Sequence, residues 1–362
     1  HISAWPSTGN FCRGGAYTAN LLGCESIAIL PEGMSRERFD WLSRVSGEVI
    51  TTPGGESNVK EIFDKCRELL RERSDLVIFN QFEQFGNHLW HYYVTGQAAA
   101  ELVAANMSEK GRLAAFVSQS GSAGTLGAGD YLKERYPLAK IVVSEALQCP
   151  TLLMNGFGDH RIEGIGDKHV PWIHNVRNTD VVMAIDDQAC LSLLRLFNEP
   201  EGRRYLGTAG IATSTVEKLG LLGISGIGNL LSAIKLAKYF QLDHNDVVVT
   251  VLTDSVEMYV TRLQEMNLEF GPYSASNASS DFGRFISGQS TDHVLELDYH
   301  SRKRIHNLKY YTWIEQQGKD VDELNRQWDE SPDYWDNLHA GITEIDQQID
   351  EFNERSEVLE SL

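Results

Sequence analysis

The sequence predicts an α/β fold, with open, twisted, doubly wound parallel sheets and helices on their faces. Short apolar segments of strand length alternate with helical segments as far as about residue 260. Strands that alternate with helices pair in parallel through right-handed crossovers. The chain has 362 residues, of which 42% are hydrophobic, so it can bury a large core.

The predicted elements follow one another in a regular order. The predicted strands are Ser26–Leu30, Glu48–Thr52, Asp75–Asn80, Leu113–Ser118, Lys140–Ala146, Val181–Ala184 and Asp246–Leu252. The predicted helices are Arg36–Val45, Asn58–Arg73, Leu89–Ala105, Thr125–Tyr136, Asp186–Leu196 and Asn229–Phe240. Gly271–Ser290 is rich in glycine, serine and asparagine and is predicted to be a loop.

Composition and element order divide the chain into three predicted parts. Residues 1–105 form a small α/β subdomain, residues 106–290 a large α/β subdomain, and residues 291–362 a helical extension. The extension carries 18 acidic and 7 basic side chains. A solvated helical appendage is the simplest interpretation of this composition, and a lid or a subunit contact is the alternative.

Charge and cysteine content narrow the class of partner. The net charge of −19 argues against binding to nucleic acid or to an anionic membrane, because both partners are polyanions. The five cysteines are scattered and form no CxxC pair, which fits a reducing cytoplasm. The chain opens on His1, shows no signal peptide and has no apolar run of 18 residues.

A glycine-rich turn follows the predicted strand Leu113–Ser118. Its sequence, Gln119-Ser-Gly-Ser-Ala-Gly-Thr125, leads directly into a predicted helix, whose first N–H groups favour an anion. The turn lacks the endings of nucleotide and dinucleotide loops, so a compact monophosphate is the predicted ligand. A tight turn with a serine or threonine cap is the alternative.

The segment Ser7-Thr-Gly-Asn10 places short polar side chains around a glycine before another helical stretch, which we expect to begin near Gly14. Such groups can direct several donors at one carboxylate. By itself this signal is weak, and a capped turn explains it equally well.

Five segments in this order resemble the cysteine synthase family of fold-type II pyridoxal-phosphate enzymes. They are Ser7–Asn10 with Pro31–Arg38 after it, Asn80–Asn87, Gly121–Thr125, Ile162–Gly166 and Gly223–Gly226. The resemblance covers residues 5–260. It implies two doubly wound sheets, pyridoxal 5′-phosphate as cofactor, a small amino-acid substrate and a homodimer.

The resemblance also implies roles for individual residues. The substrate carboxylate is expected to bind Ser7, Thr8, Gly9, Asn10 and Gln81. The cofactor is expected to contact Asn10, Gly121, Ser122, Ala123, Gly124, Thr125, Gly164, Gly166 and Ser225. Within this set, the loop from Gly121 to Thr125 binds the phosphate, and Ser225 contacts the pyridine nitrogen. Without the resemblance, Ser225 reads as the cap of the next helix.

A serine at the pyridine nitrogen bears on the reaction. A neutral hydroxyl brings no negative charge to keep the ring protonated, so the ring is a weaker electron sink and elimination is favoured. The resemblance then implies β-replacement on an O-activated serine through an aminoacrylate. The alternatives are β-elimination, as in a dehydratase or cysteine desulfhydrase, and a lysine-less relative that only binds a ligand.

One element of the family pattern is missing. Fold-type II enzymes hold the cofactor on a lysine that lies about thirty residues before the loop at Asn10, whereas the first lysine here is Lys60. We therefore expect the catalytic lysine upstream of His1, in a segment absent from this sequence. Lys60 reads as a surface residue, and Lys168 is not at the lysine position of the family.

Smaller departures concern the substrate and possible metals. Arg13 is either a surface cation or a second carboxylate contact, and Cys12 is a thiol near the site, expected to be a buried spectator. Asp167, Lys168 and His169 replace small residues along the pocket. His88 and His91 have a spacing compatible with a metal, but no third ligand is placed nearby and no metal site is predicted.

Overall fold

The computed structural model of the chain describes residues 1–7, 9–56 and 58–357, in which helices surround two β-sheets. The strands are β1 Ile2–Pro6, β2 Ser26–Pro31, β3 Glu48–Thr52, β4 Leu76–Ile78, β5 Arg112–Gln119, β6 Lys140–Ala146, β7 Val181–Ile185, β8 Asp246–Thr250 and β9 Val294–Glu296. The α-helices are α1 Asn10–Leu21, α2 Arg36–Val45, α3 Val59–Glu72, α4 Phe85–Trp90, α5 Gly96–Asn106, α6 Leu126–Arg135, α7 Thr151–Met154, α8 Asp187–Asn198, α9 Pro200–Thr208, α10 Thr213–Lys218, α11 Ile224–Tyr239, α12 Val260–Phe270, α13 Ala275–Asp281, α14 Tyr299–Lys309, α15 Val321–Asp329, α16 Asp333–Ala340 and α17 Ile342–Ser356. Short 3-10 or π-helical segments cover His91–Thr95, Val176–Asn178, Leu219–Leu221, Val256–Tyr259, Phe282–Ser287 and Tyr310–Gln316.

The smaller sheet has the strand order β3-β2-β1-β4 and is parallel throughout. Ala4 of β1 lies opposite Ile27 of β2, and both are buried against Ile62 of α3. Strand β1 was not predicted, because it begins at the second residue and no helix precedes it to establish the alternation.

The larger sheet has the order β8-β5-β6-β7-β9, in which β9 alone runs antiparallel. All five residues of β7 are buried, as expected for a strand covered by helices on both faces. The two sheets confirm the predicted α/β class, while the domain boundaries at residues 105 and 290 stay predictions.

One predicted helix contains an irregular segment, and one predicted loop is wrong. The predicted helix Leu89–Ala105 is divided by a π-helical segment, His91–Thr95, between α4 and α5. The predicted loop Gly271–Ser290 contains α13 and a further π-helical turn. Its serines and asparagines misled the prediction, because Ser274 and Asn277 form a reciprocal capping box that begins α13 rather than a turn.

The part of the chain after β9 packs against the segment that precedes β7. Trp313 is fully buried and donates from Nε1 to the carbonyl of Val170 at 2.8 Å. Lys309 is also fully buried and donates to the carbonyls of Trp172 and His174. Helix α17 buries no side chain. In the described ranges, none of the helices combines the length and apolar character that a membrane span requires.

A buried arginine joins the two halves of the molecule. Arg38 of α2 has no exposed surface, and its Nε lies 3.0 Å from Oε2 of Glu163. Its Nη2 lies 3.3 Å from Oδ2 of Asp254 and donates to the hydroxyl of Tyr259 at 2.8 Å. Burial opposes the guanidinium charge, but Tyr259, Glu163 and Asp254 hold the pKa of Arg38 well above its usual value.

We predict that Arg38→Met lowers the free energy of unfolding by about 3–5 kcal/mol, because it removes the cation beside buried Asp254 and one of the two cations beside buried Glu163. Urea unfolding followed by circular dichroism measures this. The matched control is Lys60→Met, which breaks an exposed ion pair with Asp64 and should cost less than about 1 kcal/mol. Equal effects of the two substitutions would contradict the prediction.

Candidate functional site

A cavity of about 240 Å³ lies between the two sheets, at the carboxyl ends of their parallel strands. Ser7 follows β1, Gln119 ends β5, and Val251 follows β8, and all three line it. Ligands of open α/β sheets bind outside the carboxyl ends of the strands. The position therefore marks the cavity as the candidate site.

Most of the residues expected to bind cofactor or substrate line this cavity. They are Ser7, Gly9, Asn10, Gln81, Gly121, Ser122, Ala123, Thr125 and Gly164. Gly124, Gly166 and Ser225 do not line it, and Thr8 lies outside the described residues. Ser225 is buried in the first turn of α11, which begins five residues earlier than predicted.

The glycine-rich loop presents unused donors to the cavity. In the hydrogen bonds of the described residues, none of the backbone N–H groups from Gly121 to Thr125 has an acceptor. The loop leads into α6, where the helix dipole adds positive potential. Because buried N–H groups are nearly always paired, an array of this kind fits a phosphate group.

Asn87 supports the loop and was missed as a site residue. Its Nδ2 donates at 3.0 Å to both the carbonyl of Gln81 and Oγ of Ser122, so it links the two loops. A Cβ atom at Gly124 would lie 2.3 Å from Oδ1 of Asn87, which explains the glycine. The sequence signal was available, since Asn87 ends the matched segment that begins at Asn80.

The loop before α1 is held from both sides. Oγ of Ser7 accepts hydrogen bonds at 3.0 Å from the N–H of Gly9 and from Nε2 of Gln81. Helix α1 begins at Asn10, earlier than the expected start near Gly14. A Cβ atom at Gly9 would lie 2.7 Å from Nη1 of Arg38, so only glycine brings this loop so close to the buried arginine.

Asn10 is tied into the ion network around Arg38. Its Oδ1 accepts from Nη1 of Arg13 at 3.0 Å and from Nη1 of Arg38 at 3.3 Å, and its Nδ2 donates to Asp254 at 3.0 Å. Asn10 lines the cavity, but its amide already has partners. Arg13 stacks over Trp41 and does not line the cavity, so a second carboxylate contact has no support here.

Two further polar side chains line the cavity without hydrogen-bond partners. Both amide atoms of Gln119 and Oδ2 of Asp167 are buried and unpaired within the described residues. Burial raises the pKa of Asp167 to about 8, so its carboxyl is mainly protonated at neutral pH. Gln119 was not predicted to act, although it begins the phosphate turn.

No lysine of the described residues lines the cavity. The side chain of Lys60 is exposed and pairs with Asp64 on α3. Lys168 lies 3.8 Å from Asp159 and over the ring of Phe157. Cys12 is buried and donates to the carbonyl of Gly9 at 2.9 Å, and burial raises its pKa to about 12, so it is not a nucleophile.

His88 meets a histidine from the far end of the chain. Its Nε2 lies 2.9 Å from Nε2 of His339 and 3.8 Å from Oδ2 of Asp130, so three potential metal ligands meet here, and the expectation that none lies near His88 apart from His91 is wrong. The two rings are within 5° of parallel with centroids 5.2 Å apart, which points their nitrogens at each other as in a hydrogen bond. A zinc ion between two nitrogens that point at each other would hold them about 4 Å apart, because each Zn–N bond is about 2 Å long. The observed separation of 2.9 Å is shorter and is that of a hydrogen-bonded pair. His91 instead pairs with Thr95.

The chain is similar in sequence to known proteins. Residues 3–254 match the family described as pyridoxal-phosphate dependent enzyme. A probable cysteine synthase of Bacillus subtilis is 30% identical over 258 residues, 71% of this chain and 75% of that protein. A cysteine synthase of Staphylococcus aureus is 29% identical over 257 residues, 71% of this chain and 74% of that protein.

Solved structures agree in fold. An O-acetylserine-dependent cystathionine β-synthase from Helicobacter pylori has a TM-score of 0.59 and 25% identity, and the match covers 72% of this chain and 76% of that one. A hydrogen sulfide-producing enzyme from Fusobacterium nucleatum has a TM-score of 0.59 and 24% identity, over 82% of this chain and 80% of that one.

The family match covers well over half of the chain, and it agrees with the two sheets and with the unpaired N–H groups of the loop. Pyridoxal 5′-phosphate is therefore the cofactor. The chain belongs to the pyridoxal-phosphate-dependent enzymes, as a cysteine synthase-like member with the type II fold.

Proposed function

We propose that the protein containing this chain catalyses β-replacement on an O-activated serine. The observation that carries the proposal is the single cavity that joins the unpaired N–H groups of the Gly121–Thr125 loop to the loop at Ser7–Asn10. The names of the relatives from Bacillus subtilis and Helicobacter pylori support this reaction class.

The cofactor would be held at its phosphate by the loop N–H groups, with the hydroxyls of Ser122 and Thr125 as further donors. Asn87 holds Ser122 in place. When bound, pyridoxal phosphate supplies an electron-withdrawing ring that stabilises negative charge on the substrate. Gly164 would line that ring. The N–H of Gly166 donates to the carbonyl of Ser120 at 3.1 Å, which holds the segment Ile162–Gly166 against the Gly121–Thr125 loop.

The substrate carboxylate would bind at Ser7, Gly9 and Gln81, whose mutual hydrogen bonds fix their positions before binding. Thr8 and Asn10 complete this proposed set. Ser225 remains the proposed neighbour of the pyridine nitrogen, and its neutral hydroxyl would favour loss of a group from Cβ.

A β-elimination activity is the second candidate. The similarity to a hydrogen sulfide-producing enzyme favours it, since that protein's name describes release of sulfide. A lysine-less binding protein is the third candidate, favoured by a cavity lining that holds no lysine in the described residues. We also propose that the protein is cytoplasmic, in keeping with its five cysteines, which are all unpaired in the structure. We propose in addition that it is a homodimer, as the family resemblance implies.

We predict that Gly124→Ala weakens pyridoxal phosphate binding about tenfold or more, because the added Cβ displaces Asn87 from the loop. Fluorescence titration with pyridoxal phosphate, and with pyridoxal, which has no phosphate, measures this. The loss should be confined to the phosphorylated ligand. Gly207→Ala is the matched control, since a Cβ there meets nothing within 4 Å; unchanged affinity in Gly124→Ala would contradict the phosphate site.

The reaction class is tested by mixing the protein with O-acetylserine, with and without sulfide. A synthase forms cysteine only when sulfide is present, whereas release of pyruvate at the same rate without sulfide indicates the elimination activity. Borohydride reduction followed by peptide mass spectrometry then identifies the lysine that carries the cofactor. We expect neither Lys60 nor Lys168 to be modified, and no modified lysine at all would favour the binding protein.

A further inference from the structure

Asp167 is a buried acid in the wall of the cofactor cavity. It directly follows Gly166, whose N–H donates to the carbonyl of Ser120 beside the phosphate loop. A few residues later, the N–H of Trp172 donates to the carbonyl of Phe82, beside Gln81. Asp167 therefore lies on the segment that connects the proposed phosphate and carboxylate sites.

The side chain of Asp167 is more than nine-tenths buried, yet its carboxyl group accepts no hydrogen bond from the described residues. Its backbone carbonyl is fixed by the hydroxyl of Thr151 at 2.8 Å. A buried acid without protein partners is expensive to keep, so its position bordering the cavity indicates a role toward a ligand.

Two other buried acids show what a structural role looks like. Asp130 accepts hydrogen bonds from Asn175 and Asn178, and Glu145 accepts them from the N–H groups of Leu152 and Leu153. Burial raises the pKa of Asp130 to about 7 and that of Glu145 to about 8. Neither lines the cofactor cavity, and both have their donors.

Asp167 differs, because within the described part of the chain its carboxyl group has neither a hydrogen-bond donor nor a cation beside it. Burial raises its pKa to about 8, and no charged group offsets the shift. The carboxyl therefore carries a proton at neutral pH that it can release near physiological pH, as a general acid requires. Its neighbour His169 cannot share this role, because burial lowers the pKa of His169 to about 3.

We propose that Asp167 is the general acid for the group that leaves the substrate's Cβ, so that the site also accepts amino acids with an unactivated β-thiol or β-hydroxyl. This inference rests on the proposed function and extends its substrate class. A base removes the α-proton, and the electron pair of the Cα–H bond forms the Cα–Cβ double bond. The bond from Cβ to sulfur or oxygen breaks with its electron pair on the leaving atom, and the proton of Asp167 moves to that atom. The resulting carboxylate regains a proton from an incoming thiol as sulfur bonds to Cβ.

The leaving group decides whether this acid is needed. Acetate is a weak base and leaves O-acetylserine without a proton, whereas sulfide and above all hydroxide are more basic and gain from protonation. Asp167→Asn removes the proton donor but keeps the size of the side chain. Asp159→Asn is the matched control, because Asp159 lies in the same region of the chain and its side chain is 81% exposed.

The test measures kcat/KM for release of sulfide from cysteine, of pyruvate from serine, and of acetate from O-acetylserine. Asp167→Asn should lower the first two about 100-fold or more and the third less than about threefold. With wild-type protein, the rate with cysteine should fall as pH rises through about 8, where Asp167 loses its proton, and the variant should lack this fall. Asp159→Asn should behave as the wild type.

Each other outcome contradicts the inference in a recognisable way. An equal loss on all three substrates would make Asp167 structural, and no loss would make it a bystander. Wild-type protein that acts on O-acetylserine but on neither cysteine nor serine would overturn the substrate class alone. Inactivity toward all three would overturn the proposed function itself.

A measurement without turnover decides whether Asp167 holds a proton. Infrared difference spectra of the cofactor-loaded protein should show a protonated carboxyl band at neutral pH that is lost above pH 9. Asp130 and Glu145 contribute to such a band in every variant. The wild-type spectrum minus that of Asp167→Asn should therefore retain a protonated carboxyl band, whereas the wild-type spectrum minus that of Asp159→Asn should retain none. A wild-type spectrum identical to that of Asp167→Asn would overturn the inference whatever the protein's activity.

Discussion

The buried guanidinium of Arg38 is the contact on which the site depends. It reaches Asn10 at the start of α1, Glu163 in the segment Ile162–Gly166, and Asp254 after β8. Desolvating an arginine is costly, and only several acceptors in good geometry offset that cost. The three segments are therefore fixed relative to one another by the requirement that one buried charge be satisfied.

The same network extends to the start of α11. Asp254 accepts from the N–H of Gly223 through its backbone carbonyl, and a Cβ at Gly223 would lie 1.9 Å from Oδ1 of Asp254. Glycine is thus required where the helix that carries Ser225 meets the ion cluster. The segment after β1, the segment Ile162–Gly166 and the start of α11 therefore meet around this one cation.

The phosphate loop is organised in a different way. Its N–H groups have no acceptor among the residues that the structure describes, and its shape is held from outside by Asn87 and by Thr125, whose hydroxyl lies 2.7 Å from that of Ser118. The cavity therefore combines two different loops. In the loop at Ser7–Asn10 the polar groups are already hydrogen-bonded, whereas in the Gly121–Thr125 loop the N–H donors have no acceptor among the described residues. The first can position a substrate carboxylate, and the second can take up an anion.

Alternation of apolar segments predicted much of the fold. It located α2, β3 and β6 to the residue, because each is a short segment that carries apolar residues and lies between clear breaks. It failed at α13, where hydroxyl and amide side chains cap a helix instead of making a turn. Polar composition alone does not distinguish these two uses of serine and asparagine.

Motifs located the site but not the direction of each side chain. Gly121 and Ser122 reach the cavity, whereas Gly124 in the same motif packs on Asn87. The sequence singled out Asp167 only as a departure from the family, and its lack of partners became visible once the surrounding elements were in place. Arg38 belonged to a matched segment, but nothing in the sequence shows that Glu163 and Asp254 lie beside it.

Amide hydrogen exchange of Glu163→Gln tests the central role of the Arg38 network most directly. This substitution keeps the shape of the side chain but removes one of the charges that offset Arg38. Exchange should accelerate about tenfold or more at residues 9–13, which follow β1 of the smaller sheet, as well as at residues 162–166. Exchange of β6 should be unchanged. Faster exchange confined to residues 162–166 would show that Arg38 does not couple the segments around the cavity.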